Sequence, residues 1–555
     1  MMRAPVNDRG HDASGGETDV CILVEGCYPF VPGGVSSWID WLMKSQPDLT
    51  FSVVSLWPRP DGHAPRYQLP PNATALHRLF LQDFGAPPIR RQTIPDGVGG
   101  LGQSLGLLLT HGGIAALLDA SLRLSSLRGE VTPAQLFNSP AGWQIAREMY
   151  QNQMPYGSFL HFFWAWRALL GGVLATLEFP LPKARVYHTI STGYSGVLAA
   201  RAGLETGRPV LLTEHGIYTN ERRIELLMAD WVADTIDKGH ALADPRLDLR
   251  DMWIMAFEAY ARTCYEGSTE VITLYEDNQR VQRVLGAEPG KLRVIANGID
   301  LKRFAGLAQA ASDAVPTIAM IGRVVPIKDV KTFITAVKIL SGRIEGVRAL
   351  IMGALDEDPG YVAECRQLVA DLDVGGIIEF TGNVDIAAFM PQIHVVALTS
   401  LSESQPLVLL EAGAAGIPFV TTNVGSCREV LEGRSDESPR LGTGGIVTNV
   451  VAPDEIATAL QVLLTDHDKR RAMGAALKSR VERYYRSEQA AGAYTELYAR
   501  MIAMPTTKVL GPTLIRRVDK RSVIHRPHGV ASRWMTLRLS TLRPIFLASC
   551  RHDRS

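Results

Sequence analysis

Two glutamates eight positions apart, Glu403 and Glu411, bracket the stretch of this chain whose residue types best suit chemistry. Between them, Pro406 suits the first position of a helix, because its missing N–H is unpaired there and its φ is already helical. The free N–H groups of Leu407 and Val408 would then face the preceding turn and form a phosphate site. Such a site between two acids suits a nucleotide-linked substrate with hydroxyls to hold. An ordinary strand–loop–helix unit with surface glutamates accounts for the spacing equally well.

The turn and helix that carry these glutamates belong to a strand–loop–helix–strand unit. Apolar runs at residues 394–399 and 417–422 predict the flanking buried strands. Similar runs precede turns and helical patterns along most of the chain, and this alternation predicts an α/β fold of doubly wound sheets. These runs lie at residues 19–25, 51–56, 185–189, 209–213, 270–274, 316–321, 348–352 and 377–380.

A second candidate for phosphate binding is a pair of basic residues, Arg323 and Lys328. They follow the strand at 316–321 and lead into a predicted helix at 330–340. Arginine would hold phosphate oxygens through its planar fork, and lysine would act as a mobile point charge. The alternative is that both are solvated charges at a helix start, which is the usual state of lone basic residues.

The N-terminal half carries two further candidates. Gly33 and Gly34 lie between the first strand and a predicted helix, where the absence of a Cβ lets the backbone approach a ligand. The turn is not Gly-x-Gly-x-x-Gly, so it does not indicate a dinucleotide site, and a purely structural turn accounts for it equally well. His215 ends the strand at 209–213, on the ligand side of a parallel sheet. The alternative for His215 is a histidine satisfied by a neighbouring carbonyl.

The length of the chain indicates how many domains it has, and its charge limits the partners it can bind. At 555 residues the chain exceeds a single core and predicts two or more domains. Lysine and arginine together number 57, as do aspartate and glutamate, so no global charge favours nucleic acid. From Thr506 to the end, however, eleven basic residues face two acidic ones, about +9. This tail predicts either a disordered arm or a docking segment for an acidic partner or the inner membrane face.

Cysteine usage and hydropathy predict a cytoplasmic protein. The six cysteines are scattered, with no pair at metal-ligand spacing, which fits a reducing compartment. Residues 1–17 are polar and carry no apolar core of a secretory signal. The longest apolar stretch, 159–177, is interrupted by His161, Arg167 and a glycine pair. It predicts a buried helix and not a membrane span.

Residues 81–180 interrupt the strand–helix alternation and predict a helical insertion. Helical patterns occur at 101–118, 142–150 and 159–177, whereas residues 57–80 predict turns. The aromatic cluster at 162–166 favours core packing over a sugar-stacking platform. Near the end, apolar residues at helical spacing predict a last helix. They are Tyr494, Leu497, Tyr498 and Met501.

The Glu-x7-Glu spacing resembles the motif of retaining GT-B glycosyltransferases of family 4. The usual Gly-Phe-Gly-Leu after the first glutamate is replaced here by Ser404-Gln405-Pro406-Leu407, which removes two flexible positions. Other family elements occur in the expected order: Gly-Gly-Val at 33–35, Asn-Gly-Ile-Asp at 297–300, Gly-Arg-x4-Lys at 322–328 and Gly-Gly-Ile-Val at 444–447. The segment Thr-Glu-His-Gly-Ile-Tyr at 213–218 and the helical insertion resemble the PelF-like group of Pel exopolysaccharide synthesis.

This resemblance implies roles for individual residues. Glu403 would contact the donor sugar near the reacting centre and His215 would hydrogen-bond it, which makes these two the expected catalytic residues. Glu411 would hold the ribose hydroxyls. Glu221 and Arg222 would line the acceptor cleft, unless they form a surface pair. The residues implied in nucleotide-sugar binding are Gly33, Gly34, Arg323, Lys328, Gln405, Leu407, Val408 and Glu411.

The resemblance also implies the reaction and its partners. It implies retaining transfer from UDP-glucose or a UDP-N-acetylhexosamine to a growing polysaccharide, beside an inner-membrane synthase complex. Neither a cofactor nor a metal is expected, since no Asp-x-Asp dyad is placed to bind one, and no nucleic acid is expected. The alternatives are a family 4 enzyme for another glycan or small glycoside, and a degenerate GT-B assembly subunit. A glycoside hydrolase also uses two carboxylates but has no use for diphosphate elements.

The motifs divide the chain into a predicted domain plan. Residues 18–305 form an N-terminal Rossmann-like acceptor domain, with the helical insertion at about 81–180. Residues 315–485 form a C-terminal Rossmann-like nucleotide-sugar domain. A crossover helix follows at 486–505, and the resemblance implies that it crosses back to brace the N-terminal domain. Residues 1–17 are expected to be a disordered N-terminus, and residues 506–555 are the basic tail.

Overall fold

The computed structural model describes residues 16–60, 64–84, 98–127, 132–228, 246–304 and 314–506, together with 306, 307, 310 and 311. Predictions for residues 1–15 and for the basic tail beyond 506 lie outside the described residues. Two parallel sheets with helices on both faces make up the described chain, so the predicted pair of doubly wound domains is confirmed.

The N-terminal sheet has seven parallel strands in the order β3-β2-β1-β4-β5-β6-β7. The order reverses between β1 and β4, and in such sheets ligands bind beside the carboxyl ends of the strands at that point. The strands are β1 (Thr18–Glu25), β2 (Phe51–Trp57), β3 (Ala73–Phe80), β4 (Ala184–Thr189), β5 (Val210–Glu214), β6 (Glu270–Thr273) and β7 (Leu292–Val294).

Strand β3 corrects the prediction of turns at 57–80. It is an edge strand whose side chains are mostly only partly buried, so it lacks the apolar run that marks the other strands. Its ladder with β2 over Phe51–Trp57 supplies the structure that the local pattern does not show.

Ten helices of the N-terminal domain are described, and α2 to α6 form the predicted insertion. The single helical pattern at 101–118 is split into α2 and α3 at Gly112. There φ is +65°, and a Cβ would lie 2.0 Å from the carbonyl oxygen of Ala259. The helices are α1 (Gly34–Lys44), α2 (Val98–Thr110), α3 (Ile114–Ser126), α4 (Pro133–Phe137), α5 (Pro140–Gln153), α6 (Phe159–Glu178), α7 (Tyr194–Thr206), α8 (Tyr218–Met228), α9 (Leu249–Gly267) and α10 (Asn278–Val284).

Helix α6 is largely a core helix. In the described part of the chain it alone is long and apolar enough to cross a membrane, but 61% of its most apolar window is buried within the protein. The core prediction for the aromatic cluster at 162–166 is correct for Phe162 and Trp166, which are buried. It is wrong for Trp164, whose side chain is exposed on the opposite face of the helix.

The C-terminal sheet has six parallel strands in the order β10-β9-β8-β11-β12-β13. Its strands are β8 (Thr317–Ile321), β9 (Arg348–Met352), β10 (Ile378–Gly382), β11 (Val395–Leu398), β12 (Phe419–Thr422) and β13 (Gly445–Thr448). The helices that follow are α11 (Val330–Ser341), α12 (Pro359–Asp371), α13 (Ile386–Phe389), α14 (Leu407–Ala414), α15 (Cys427–Glu432), α16 (Pro453–Thr465), α17 (His467–Tyr484) and α18 (Ser487–Ile502).

Two neighbouring segments connect the domains. Ile299 pairs with Arg486 as an isolated parallel bridge, so the outgoing and returning chains run side by side. Beyond this crossing, α18 packs on the N-terminal sheet. The predicted apolar face of α18 is buried there, and its Tyr498 hydroxyl hydrogen-bonds His188 at 2.7 Å. The bracing role predicted for the last helix is therefore confirmed.

Candidate functional site

The centre of the site is an ion pair between Lys328 and Glu403. The Glu403 carboxylate lies in the loop after β11 and accepts a hydrogen bond from Lys328 Nζ at 2.5 Å. The Ser400 hydroxyl donates to the same oxygen at 2.6 Å. The side chains are only 18% and 11% exposed, so solvent screens the pair weakly. Two residues predicted separately from the sequence thus form one unit.

Helix α14 begins one residue later than predicted. Pro406 is the N-cap and not the first helical residue, because its ψ of 116° is extended. Leu407 and Val408 are therefore the first two helical residues, and their N–H groups donate to no residue that the structure describes. After this shift the donors and the helix dipole still face the turn that carries Glu403, and the anion site stays a prediction.

Arg323 lies apart from the Lys328–Glu403 pair. Its guanidinium bonds Glu357, on the loop after β9, at 2.6 Å, and both side chains are largely exposed. Beneath it, Gly353 packs so closely that a Cβ would lie 2.0 Å from the Gly322 carbonyl oxygen. An exposed pair of this kind contributes little stability, so a phosphate can replace Glu357 at small cost.

Glu411 lies within α14 and is only partly buried. Its carboxylate makes no hydrogen bond or ion pair with any described residue. Burial raises the pKa of Glu411, and the charge of Arg303 opposes that rise. A half-buried carboxylate without a partner is suited to accept hydrogen bonds from hydroxyls of a ligand.

One contact joins the C-terminal loop to the N-terminal domain, and a second joins it to the segment that connects the domains. The Ser404 hydroxyl donates to the backbone carbonyl of His215. The Gln405 side-chain oxygen accepts a hydrogen bond from the Asn297 N–H at 2.7 Å. Both residues occupy positions where this chain departs from the family pattern, and the Ser404 contact brings the two domains together at the site.

The imidazole of His215 lies on the N-terminal side of the cleft. Its ring packs edge-on against Trp38 of α1, with centroids 4.5 Å apart. Burial lowers the pKa of His215 to about 4, so the ring is neutral near pH 7. Its Nε2 is buried and has no partner among the described residues, which leaves a hydrogen-bonding position for a ligand.

The glycine pair begins α1 at the rim of the cleft. Gly33 is the N-cap and Gly34 the first helical residue, and both are exposed. No atom lies within 4 Å of a Cβ built at either position, so the backbone is open to approach. Both glycines therefore lie at a helix start where packing within the protein does not require glycine.

Glu221 and Arg222 lie at the start of α8, just past His215. The Glu221 carboxylate covers Gly216, where a Cβ would lie 2.3 Å from its oxygen, and burial raises its pKa. Arg222 pairs with Glu225 at 2.7 Å, and its buried Nε has no partner among the described residues. Glu221 thus borders the cleft, whereas Arg222 is engaged along its own helix.

Glu25 is a site residue that the sequence pattern missed. It ends β1 at the topological switch point and accepts a hydrogen bond from the Tyr218 hydroxyl at 3.0 Å. Burial raises its pKa. The available signal was an acidic residue directly before Gly26 at the end of an apolar strand. Within the described ranges, no group of three or more His, Cys, Asp or Glu could hold a metal ion.

Comparisons with known families divide the chain as the fold does. Residues 18–290 match a domain of unknown function (DUF3492). Residues 315–466 match the family described as glycosyl transferases group 1. The first of these covers the whole N-terminal sheet apart from its last strand, and the second covers the C-terminal sheet with the Lys328–Glu403 pair.

Curated relatives share only part of the chain. A GDP-mannose-dependent α-(1-6)-phosphatidylinositol monomannoside mannosyltransferase of Mycobacterium tuberculosis is 27% identical over 227 residues. The match covers 38% of this chain and 56% of the relative, so the chain spans little more than half of that enzyme. A D-inositol 3-phosphate glycosyltransferase of Kribbella flavida is 29% identical over 328 residues, 53% of this chain and 72% of the relative.

Solved structures show the fold. Sucrose-phosphate synthase from Thermosynechococcus elongatus superposes with a TM-score of 0.54 at 15% identity, covering 87% of this chain and 99% of that one. HepE from Anabaena, in complex with UDP, gives a TM-score of 0.53 at 14% identity, covering 87% and 100%. The predicted GT-B fold is confirmed. The chain has the GT-B fold, and its residues 315–466 match the model of glycosyl transferases group 1.

Proposed function

We propose that this protein is a retaining glycosyltransferase that moves a sugar from a UDP-sugar to a growing exopolysaccharide. The observation that carries this proposal is the Lys328–Glu403 pair, held at the open start of α14 and joined through Ser404 to the strand end that bears His215. A carboxylate, a cation and free backbone donors thus converge where two domains meet.

The chemistry follows from where charge develops. Breaking the bond between the anomeric carbon and the diphosphate leaves negative charge on phosphate and positive charge on the sugar. Lys328 and the N–H groups of Leu407 and Val408 stabilise the phosphate, and Glu403 stabilises the cationic sugar. Neutral His215 accepts or donates a hydrogen bond to a sugar hydroxyl without adding a charge beside the forming cation.

The choice of UDP rests on neighbours of this fold and on the family resemblance. HepE was solved with UDP, with UDP and glucose, and with UDP-glucose. A curated relative is named for GDP-mannose, so GDP is the rival nucleotide. UDP-glucose and UDP-N-acetylhexosamines are the donors that we propose to test first. Metal-independent transfer is part of the same proposal, and activity that survives EDTA is the expected result.

The acceptor is proposed from the N-terminal half. Its resemblance to the PelF-like group supports a polysaccharide acceptor and a place beside an inner-membrane synthase complex. Glu221 borders the cleft on this side and offers its carboxylate to acceptor hydroxyls, whereas the Glu25 carboxylate already accepts a hydrogen bond from the Tyr218 hydroxyl. Transfer to another glycan or to a small glycoside is the second candidate, supported by the inositol phosphate glycosyltransferase relative.

Titration calorimetry with UDP, GDP and ADP tests the proposal at its first step. UDP is expected to bind selectively, and Arg323→Ala and Glu411→Ala are each expected to weaken binding about tenfold or more. Arg348→Ala is a matched control, because Arg348 also forms an exposed pair, with Glu379 at 2.7 Å.

The outcomes separate the candidates. Selective GDP binding would mean that the donor is a GDP-sugar, and the proposed glycosyltransferase activity would stand. A folded protein that binds none of the three nucleotides would contradict the proposal and favour an assembly subunit of GT-B fold. Equal loss of binding in Arg348→Ala would show that the effect of Arg323→Ala is general and not local.

A further inference from the structure

Thr399 is the first residue after β11, and its side chain contacts the turn that carries Lys328. Its hydroxyl lies 3.1 Å from the carbonyl oxygen of Lys328 and 2.9 Å from that of Asp329, so two successive carbonyls share one proton. The side chain of Thr399 is 0% exposed. The hydroxyl is therefore committed within the protein and does not reach a ligand.

A backbone hydrogen bond joins the same two segments. The Leu401 N–H donates to the carbonyl oxygen of Ile327, one residue before Lys328, at 2.9 Å. The loop after β11 thus donates to three successive carbonyl oxygens, those of residues 327–329. The loop that carries Glu403 and the turn that carries the lysine are therefore bonded into one unit.

The residue after Thr399 holds the other half of the ion pair. Ser400 donates its hydroxyl to Glu403 Oε1 at 2.6 Å, and the same oxygen accepts from Lys328 Nζ. The Ser400 carbonyl in turn accepts a hydrogen bond of 2.7 Å from the buried hydroxyl of Thr422, the last residue of β12. Two adjacent residues therefore fix where the ammonium group and the carboxylate meet.

The turn at Asp329 has a backbone conformation that needs support. Its φ is +47°, in the left-handed region that residues other than glycine rarely adopt. Asp329 Oδ1 accepts the Thr332 N–H at 3.3 Å at the start of α11, and the Thr399 hydroxyl donates to the Asp329 carbonyl. Such conformations persist where the surroundings hold them, and they cluster at functional sites. Because Lys328 directly precedes this residue, the same contacts fix the start of its side chain.

We propose that Thr399 is a positioning residue for Lys328 and holds its ammonium group against Glu403 before a nucleotide sugar binds. Lysine has a flexible four-carbon stem, so its charge stays at one point only where the backbone and the far end are both held. Thr399 holds the backbone, and Glu403 holds the far end. Charges that are already in place stabilise a transition state without reorganisation during the reaction. The kinetic consequence of this inference rests on the proposed function, whereas its geometric part does not.

A second buried threonine at a strand end of this sheet bonds strand backbone instead. The hydroxyl of Thr448, the last residue of β13, lies 3.3 Å from the carbonyl oxygen of Thr421 on the neighbouring strand β12. Its side chain is 6% exposed, close to the value for Thr399. Thr448 is therefore a matched control, because its hydroxyl bonds the sheet and the Thr399 hydroxyl bonds the turn at Lys328.

Thr399→Val keeps the volume of the side chain and removes its hydroxyl. The donor for kinetics is whichever of UDP-glucose and UDP-N-acetylglucosamine the wild type transfers. The kcat of Thr399→Val is expected to fall roughly tenfold to a hundredfold, and by more than the donor KM changes, because a small displacement of a reacting group is costly. Thr399→Ser restores the hydroxyl and is expected to keep most of the activity. Thr448→Val is expected to leave kcat unchanged.

Combining Thr399→Val with Lys328→Ala tests whether Thr399 acts through the lysine. Once the ammonium group is absent, loss of its anchor should have no further effect. The kcat of the double variant is therefore expected to match that of Lys328→Ala alone. A purely structural role for Thr399 would lower kcat by the same factor in both backgrounds, and that result would overturn the proposal.

Crystal structures of the variants separate this proposal from the proposed function. In Thr399→Val, Lys328 Nζ is expected to move beyond about 4 Å from the Glu403 carboxylate, the limit of an ion pair, whereas Thr448→Val keeps the pair. An unchanged pair in Thr399→Val would overturn the proposal, whether or not the protein transfers sugar. An inactive wild type whose pair is lost in Thr399→Val would overturn the proposed function alone. Thr399→Ala, which places no methyl group against the two carbonyls, serves if the valine variant does not fold.

Discussion

The side-chain oxygen of Gln405 accepts a hydrogen bond from the backbone N–H of Asn297 at 2.7 Å, which anchors the loop after β11 to the segment that connects the two domains. The preceding residue, Ser404, donates a hydrogen bond across the two domains to the carbonyl of His215. In the family pattern these positions are phenylalanine and glycine. The departure of this chain from that pattern therefore serves domain closure, and the loss of flexible residues does not imply loss of the site.

Removing either of these two bonds is expected to favour the open cleft. Gln405→Ala or Ser404→Ala would each remove about 1 kcal/mol, which shifts the closure equilibrium about fivefold. The KM for the donor should rise by a similar factor, and X-ray scattering should show a larger radius of gyration. Ser402→Ala in the same loop is the control. A radius of gyration unchanged in both variants would contradict the closing role.

Lys328 is expected to act in the chemical step more than in folding. Lys328→Ala removes the charge beside Glu403 and should lower kcat about a hundredfold to a thousandfold, the usual loss for one preorganised stabilising group. Lys328→Arg should restore part of it, because the charge returns with different geometry. Steady-state kinetics with melting curves checks this. A normal kcat in the alanine variant would remove Lys328 from the mechanism.

The strand–helix alternation could be predicted because buried parallel strands are continuous apolar runs, as at β8 and β11. Strand β3 could not, because an edge strand with partly buried side chains carries no such run. In the site, Glu403 and Lys328 were predictable from their motifs. Their pairing was not, because a contact between residues 75 positions apart is set by how two loops fold.

Side-chain environments were the least predictable features. Trp164 lies within an aromatic run that suggests core, yet its neighbours Phe162 and Trp166 are buried and it is not. A shift of one or two positions along a helix moves a side chain from the buried face to the exposed face. When every position in a run is aromatic, the sequence does not show which of them face the core. Glu25 escaped prediction because a lone acid at a strand end has no motif.

A buried ion pair is expected to control the stability of the C-terminal domain. Arg480 on α17 binds Glu437 through two hydrogen bonds of 2.6 and 2.9 Å, and neither side chain is exposed. Glu437→Ala would leave a buried guanidinium without its counter-charge and cost about 3–5 kcal/mol. Urea unfolding measures this change.

The neighbouring residue provides the control for that experiment. Asp436 pairs with Arg434 at 2.9 Å, but its side chain is 63% exposed. Asp436→Ala should therefore cost no more than about 1 kcal/mol. Similar losses in the two variants would show that burial does not set the strength of the Arg480–Glu437 pair.

His188 is expected to lower the free energy of unfolding at acidic pH. It lies buried between the hydroxyls of Tyr498 and Thr213, and burial lowers its pKa to about 3. Below its unfolded pKa of about 6.5 the unfolded chain takes up a proton that the folded chain does not. Its contribution to the free energy of unfolding is therefore lost as the pH falls from 6.5 toward 3.

Burial of Glu214 acts in the opposite direction. Its pKa is raised to about 7, so the folded state holds a proton that the unfolded state releases, and stability falls as the pH rises from about 4.5 through 7. The pH profile of the wild-type protein alone therefore mixes both groups. A difference between two proteins that both contain Glu214 cancels its contribution and isolates His188.

His188→Gln provides that difference. The variant should be less stable than the wild type at pH 7, because its amide replaces the imidazole between two buried hydroxyls imperfectly. Between pH 7 and pH 5 the gap should narrow by about 2 kcal/mol, since only the wild type loses the histidine contribution. Melting temperatures across this range measure the gap. A gap that is constant with pH would mean that His188 accepts a proton in the folded state, and burial would then not control its pKa.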